Sequence, residues 1–144
     1  MTDQTLTSET LHATAVAIGS HAVLIEGPSG AGKSDLALRL IDRGAVLISD
    51  DRTILQADNG TVRATAPRTI AGRIEVRGIG ILPMQYAEGV EVALLVRLTD
   101  AVERMPLETV ERRIAGIVIP EIALDAREPS APIKVELALK RQIA

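Results

Sequence analysis

Gly27-Pro28-Ser29-Gly30-Ala31-Gly32-Lys33-Ser34 has the residue types and spacing to hold the phosphates of a nucleoside triphosphate. Gly27, Gly32, Lys33 and Ser34 fill the pattern G-x-x-x-x-G-K-[ST]. In such a loop, backbone N–H groups and a helix N-terminus face phosphate oxygens. The lysine bridges the β- and γ-phosphates and the serine hydroxyl ligates Mg²⁺. A turn that merely starts a helix has no need of Lys and then Ser there, so ATP and Mg²⁺ are the expected ligands. Phosphoryl transfer also needs carboxylates to hold the metal and to take the acceptor's proton. Asp50 and Asp51 stand side by side after the next apolar run, and Glu75 follows in Ile74-Glu75-Val76-Arg77-Gly78. An Asp pair at a strand end is often only a turn, but beside a phosphate loop the chemical reading outweighs that one.

The elements that must position these groups can be read from periodicity and turn residues. Ala13 to Ile18 and His21 to Glu26 are apolar runs parted by Gly19-Ser20, a hairpin signal. The loop follows at once. Next comes SDLALRLIDRG, with Leu36, Leu40 and Ile41 at helical spacing and Gly44 as the stop. Ala45 to Ile48 reads as a strand that delivers the aspartates at its carboxyl end, where ligands of parallel sheets gather. Beyond Arg52, Thr53 to Gln56 and Thr61 to Ala64 flank the turn Ala57-Asp58-Asn59-Gly60. Thr69 to Leu82 reads as one strand bent at its glycines, and Val90 to Leu98 as the central strand of the sheet. Leu107 to Ala115 is expected as a short helix, Ile117 to Leu124 as a strand interrupted by Pro120, and Ile133 to Gln142 as a final helix capped by Ser130. The expected fold is α/β with a β-rich mixed sheet, comprising a disordered polar tail over 1–10 and one catalytic domain over 11–144.

Composition narrows the function classes. The chain has 144 residues, enough for one core, and it is 47% hydrophobic with 1% aromatic, so Ile, Leu, Val and Ala must build that core. Lys and Arg total 16 against 19 Asp and Glu, a net charge of −3. No basic excess exists to neutralise a nucleic-acid backbone, and few rings exist on which bases could stack. The absence of cysteine removes disulfides, thiolate metal sites and thiol nucleophiles. The polar start MTDQTLTSETLHAT lacks a signal-peptide pattern, and no apolar run reaches the ~18 residues of a membrane span. A soluble, cytoplasmic protein that binds neither nucleic acid nor membrane is expected.

Four pieces in order carry a resemblance: His12 in LHAT, the loop GPSGAGKS, the pair in LISDD, and IEVRGIGIL from Ile74 to Leu82. Together they resemble the bacterial HPr kinase/phosphorylases, which phosphorylate a serine of the phosphocarrier protein HPr. The likeness covers about residues 10 to 105. It implies a core similar to the nucleotide-binding domain of phosphoenolpyruvate carboxykinase, not to the common parallel P-loop kinases. It also implies roles: Lys33 and the loop on the β/γ-phosphates, and Ser34, Glu75 and Asp50 on Mg²⁺. One aspartate would be the general base, with Asp51 favoured and Asp50 nearer the metal, although the sequence does not separate them. His12 would help place an aspartate, or simply occupy a strand end. Arg77 would support transition-state charge or fix Glu75, or be a surface arginine. Arg104, in Glu103-Arg104-Met105, is similar to the family's late arginine or is merely solvated. His21 matches no motif position.

The chain is similar to short alphaproteobacterial forms without the N-terminal domain. Where the family has a Pro/Arg/Gly-rich late loop, this chain reads IVIPEIALDAREPSAPIKVELAL, keeping Pro120 and Arg127. The resemblance therefore implies an ATP-dependent serine kinase acting on HPr or a related phosphocarrier and regulating the phosphotransferase system, with reverse phosphorylase activity in doubt. The alternative is a nucleotide-binding regulatory module with weak or lost transfer. A small-metabolite kinase would be expected to carry an arginine-rich lid. Homo-oligomerisation is left open.

Overall fold

The computed structural model describes residues 7–144. β1 (Ser8–Leu11) leads into β2 (Ala13–Ile18), which turns at Gly19-Ser20 into β3 (His21–Glu26). The Gly-rich loop then enters α1 (Lys33–Asp42), and β4 (Val46–Ser49) follows. β5 (Thr53–Asp58) and β6 (Thr61–Thr65) pair across Asn59-Gly60, and β7 (Arg73–Val76) pairs with β8 (Gly80–Pro83) as a separate two-stranded sheet. β9 (Val90–Leu98), β10 (Val110–Ile114), β11 (Ile117–Leu124) and α2 (Ala131–Ile143) complete the chain.

The large sheet runs β1-β5-β6-β9-β3-β2-β4. β9 is its axis, pairing with β3 along one edge and sharing the other between β6 at its start and β11 at its end. β3, β9 and β11 are parallel, while β2 is antiparallel to β3 and β4 antiparallel to β2. The carboxyl ends of β3, β4, β9 and β11 and the amino end of β2 therefore share one sheet edge. That edge carries the Gly-rich loop, the aspartate pair and Thr14.

Both faces of the central strands are buried, which explains their unbroken apolar runs. Val16, Val23, Ile25, Leu94 and Val96 face Leu36 and Leu40 of α1 and Val135 and Leu139 of α2. Ala15, Leu24, Ile48, Leu55, Val62 and Leu95 fill the opposite face, together with Ile114 and Ile119. Ala22 pairs with Val92 but Val23 pairs with Leu94, so Ala93 is an extra residue in β9. This bulge switches which residues face the helices, and Val92 and Leu95 share a face despite their odd spacing.

The α/β expectation holds, with five local corrections. Leu107 to Ala115 forms no helix: Val110 to Ile114 is β10, antiparallel to β11 through a two-residue turn in which Ala115 (φ 50) and Gly116 (φ 82) both take positive φ. Thr69 to Leu82 is a hairpin and not one bent strand, because a tight turn links Val76 to Ile79, whose N–H reaches the Val76 carbonyl at 2.9 Å. Pro120 does not interrupt β11, since only β10 pairs there and β9 joins from Glu121 onward. Ser130 precedes α2 but makes no capping bond with its side chain. Of the tail expected over 1–10, residues 1–6 lie outside the described residues, whereas Ser8 to Leu11 pair with β5 as β1.

Candidate active site

At the shared edge the Gly-rich loop closes against the ends of β9 and β11. A Cβ at Gly27 would lie 3.0 Å from Leu98 Cβ, and one at Gly32 would lie 3.4 Å from Ala126 Cβ. Gly32 also takes φ 99, so it supplies both the left-handed backbone and the clearance with which α1 begins. The Lys33 ammonium donates to the loop's own Gly27 carbonyl at 2.9 Å and to Pro28 at 3.2 Å.

Asp50 joins three segments. Its Oδ1 accepts from the Ser34 hydroxyl at 2.6 Å and from the Thr14 hydroxyl at 3.1 Å, and its Oδ2 accepts the Glu75 N–H at 2.9 Å. This carboxylate therefore ties the start of α1, β2 and the β7–β8 hairpin together. Asp51 differs. Its backbone has φ 71, and the Arg52 N–H donates to the Asp50 carbonyl at 2.8 Å, which makes Asp51 the centre of a γ-turn of the rarer, positive-φ kind. Its N–H donates to Thr14 Oγ1 at 3.0 Å, while its carboxylate makes no hydrogen bond among the described residues. The Ser49 hydroxyl donates to the Arg52 carbonyl and closes the turn.

A cleft of about 560 Å³ brings the parts together. Ser29, Gly30, Gly32, Lys33 and Ser34 of the loop and α1 line it together with the exposed Asp51 and with Glu75 and Arg77 of the hairpin. Arg77 is exposed and unpaired among the described residues. Pro28 and Ala31 belong to the loop but not to the cleft lining, and their backbones meet in a turn at 3.0 Å. His12 is exposed at the bend between β1 and β2, two residues before Thr14, and makes no hydrogen bond among the described residues. Arg104 lines a second cleft, between the segment after β9 and α2, and the structure does not bring it to the first. Thr14, Ser49 and Thr53 escaped the sequence reading. They are the buried polar side chains among the described residues, at 0%, 1% and 0% exposure. Their signal was available as lone hydroxyls inside or beside the apolar runs ATAVAI, VLIS and TIL.

The family model described as HPr Serine kinase C-terminal domain matches residues 3–139. The chain belongs to this family. The solved structure of the Hpr(Ser) kinase/phosphatase from Coxiella burnetii has a TM-score of 0.80 and 31% identity, covering 92% of this chain and 95% of that one. The HPr kinase/phosphorylase of Lactobacillus delbrueckii subsp. bulgaricus is 32% identical over 130 aligned positions, covering 81% of this chain and 41% of that protein. That of Bordetella pertussis is 32% identical over 148 aligned positions, covering 93% of this chain and 48% of that protein. This member of the HPr serine kinase C-terminal domain family thus spans less than half the length of those curated relatives. Among its described residues, no helix is long and apolar enough to cross a membrane.

Proposed function

We propose that this chain transfers the γ-phosphoryl group of ATP to a serine hydroxyl of an HPr-like phosphocarrier protein in the cytoplasm, and thereby regulates the phosphotransferase system. The observation that carries the reading is the division of labour between the adjacent aspartates. Both oxygens of Asp50 are taken up by three donors, whereas the Asp51 carboxylate stands free in the cleft beside the phosphate loop. A general base must be able to reach the proton it removes, and Asp51 has that freedom. The names of the relatives support the substrate class.

The donor set fits Mg²⁺. Ser34, Asp50 and Glu75 offer hard oxygen atoms, and among the described residues no three His, Cys, Asp or Glu side chains gather into a complete metal cage. An ion held partly by substrate phosphates needs no such cage. When bound, it neutralises phosphate charge. Lys33 exchanges the Gly27 and Pro28 carbonyls for β- and γ-phosphate oxygens, and Arg77 supplies positive charge from the hairpin. The acceptor oxygen forms its bond to the γ-phosphorus as the bond to the bridging oxygen breaks, the seryl proton passes to Asp51, and ADP leaves.

The test is incubation of the purified chain with ATP, Mg²⁺ and HPr, followed by detection of phosphoserine. Phosphoserine on HPr is expected. Tight ATP binding without transfer would replace this reading with the regulatory-module alternative.

A further inference from the structure

We infer that Thr14 is a positioning residue whose single hydroxyl sets the placement of both aspartates, so that phosphoryl transfer depends on a side chain that does not line the cleft. The inference rests on the function proposed above. Thr14 is fully buried at the start of β2. Its Oγ1 donates to Asp50 Oδ1 at 3.1 Å and accepts from the Asp51 N–H at 3.0 Å. One hydroxyl is thus used in both directions, on neighbouring residues with different tasks. The γ-turn it grips holds Asp51 at φ 71, a sparsely populated conformation that persists only where the surroundings over-determine it.

The surroundings are built for that purpose. The Ser49 hydroxyl donates to the Arg52 carbonyl on the far side of the turn. The Thr53 hydroxyl donates to the Ala13 carbonyl at 2.8 Å, which locks the strand on which Thr14 sits to the strand that leaves the turn. Burying a hydroxyl is unfavourable unless it is paired, yet all three buried polar side chains among the described residues surround this one turn. A core that needed only stability would use apolar side chains there. Fixed placement of the aspartates relative to the loop is what these hydroxyls add, because a small misplacement of a catalytic group is costly in rate.

Thr14→Val keeps the shape and removes both hydrogen bonds, while Thr14→Ser keeps both bonds. For Thr14→Val, kcat is expected to fall by about tenfold or more with the KM for ATP within about twofold of wild type. Thr14→Ser should recover most of kcat, and the Asp51 amide should exchange faster in Thr14→Val than in either of the others. Wild-type kcat in Thr14→Val, a loss confined to KM, or a Thr14→Ser as impaired as Thr14→Val would overturn the inference. If Thr14→Val does not fold, Thr14→Cys takes its place, since a thiol is a weak donor and acceptor. The same loss in kcat then supports the positioning role, and no loss overturns it. Absence of transfer by the wild-type chain would instead sink the proposed function. The Asp51 amide would then decide for Thr14, with unchanged exchange in Thr14→Val counting against the clamp.

Discussion

Asp50 and Asp51 are adjacent in sequence but held by opposite means, and that contrast makes their substitutions separable. Asp51→Asn leaves the phosphate loop and the Asp50 contacts in place, so ATP binding should stay within about twofold while transfer falls by roughly 10²-fold or more. Equilibrium nucleotide binding and single-turnover phosphorylation measure the two halves. Asp50→Asn presents an amide N–H₂ or a lone oxygen to three donors: Ser34, Thr14 and the Glu75 N–H. At least one donor then lacks an acceptor, which costs about 1–3 kcal/mol. A lower melting temperature and a higher Mg²⁺ requirement are expected together for Asp50→Asn. An Asp51→Asn chain with an unimpaired rate would return the base role to Asp50.

At the level of elements, the loop depends on close contact between the end of β3 and the end of β9. A methyl group at Gly27 would meet Leu98 Cβ at 3.0 Å and Ala31 Cβ at 3.2 Å, and Leu98 is buried and cannot withdraw. Gly27→Ala should therefore push the loop off the sheet and weaken ATP binding by about tenfold, a change calorimetric titration would resolve; unchanged affinity would mean that the loop adapts elsewhere. The β10–β11 hairpin is anchored by charge. Arg112 forms a bidentate pair with Glu26 at 2.8 and 3.1 Å and also reaches Glu121 at 3.1 Å. The Glu26 hydrogen bonds raise the Arg112 guanidinium above its ordinary pKa, so it is charged at any working pH. Arg112→Ala leaves Glu121, 8% exposed, with Arg97 alone. The expected loss is roughly 1–2 kcal/mol, read from the urea midpoint, because Arg112 itself is partly solvated. This hairpin is also where sequence reasoning failed. Its alternation, with Val110, Arg112 and Ile114 on one side, gains meaning only from β11 and from Glu26, a residue 86 positions away. The β2–β3 hairpin, the loop, α1, β4 and the β5–β6 turn were legible because local periodicity and turn residues specify them. The gathering of Ser34, Asp51, Glu75 and Arg77 in one cleft was expected from motifs. Thr14 was not, because a threonine in a strand looks like ordinary β-propensity until its partners are known.

For the molecule as a whole, the direction of the reaction depends on where its cations are committed. Reversal requires inorganic phosphate to be held in line with phosphoserine beside Asp50 and Asp51, and those repulsions must be offset by free cations or N–H donors. The segment between β11 and α2 abuts the loop through Ala126 and Gly32, and three cations surround it. Arg127 is bound to Asp125 by contacts of 3.0 and 2.8 Å. Arg39 donates to the carbonyls of Ala126 and Glu128 at 2.5 and 3.3 Å, and Lys134 pairs with Glu128 at 2.8 Å. The Arg127 hydrogen bonds lower the Asp125 carboxyl from its ordinary 3.8 to about 2. Because the folded value is the depressed one, this pair's contribution is complete above the ordinary value and fades only as pH falls towards the folded one. The Asp125 carboxylate is therefore ionised, and available to Arg127, at every pH at which the reaction would be run. Among the described residues that line the cleft, Lys33 serves the phosphate held by its own loop and Arg77 is the one further cation without a carboxylate partner, enough for one phosphoryl group but not for two. Phosphorylation of HPr should accordingly be much faster than phosphorolysis, and Asp125→Asn, which releases Arg127, should raise the reverse rate without raising the forward one. Pyrophosphate release from phosphoserine-HPr in millimolar phosphate, without nucleotide, measures this directly. Release by the wild-type chain at the forward rate, or no gain in Asp125→Asn, would show that direction is set by something other than these paired cations.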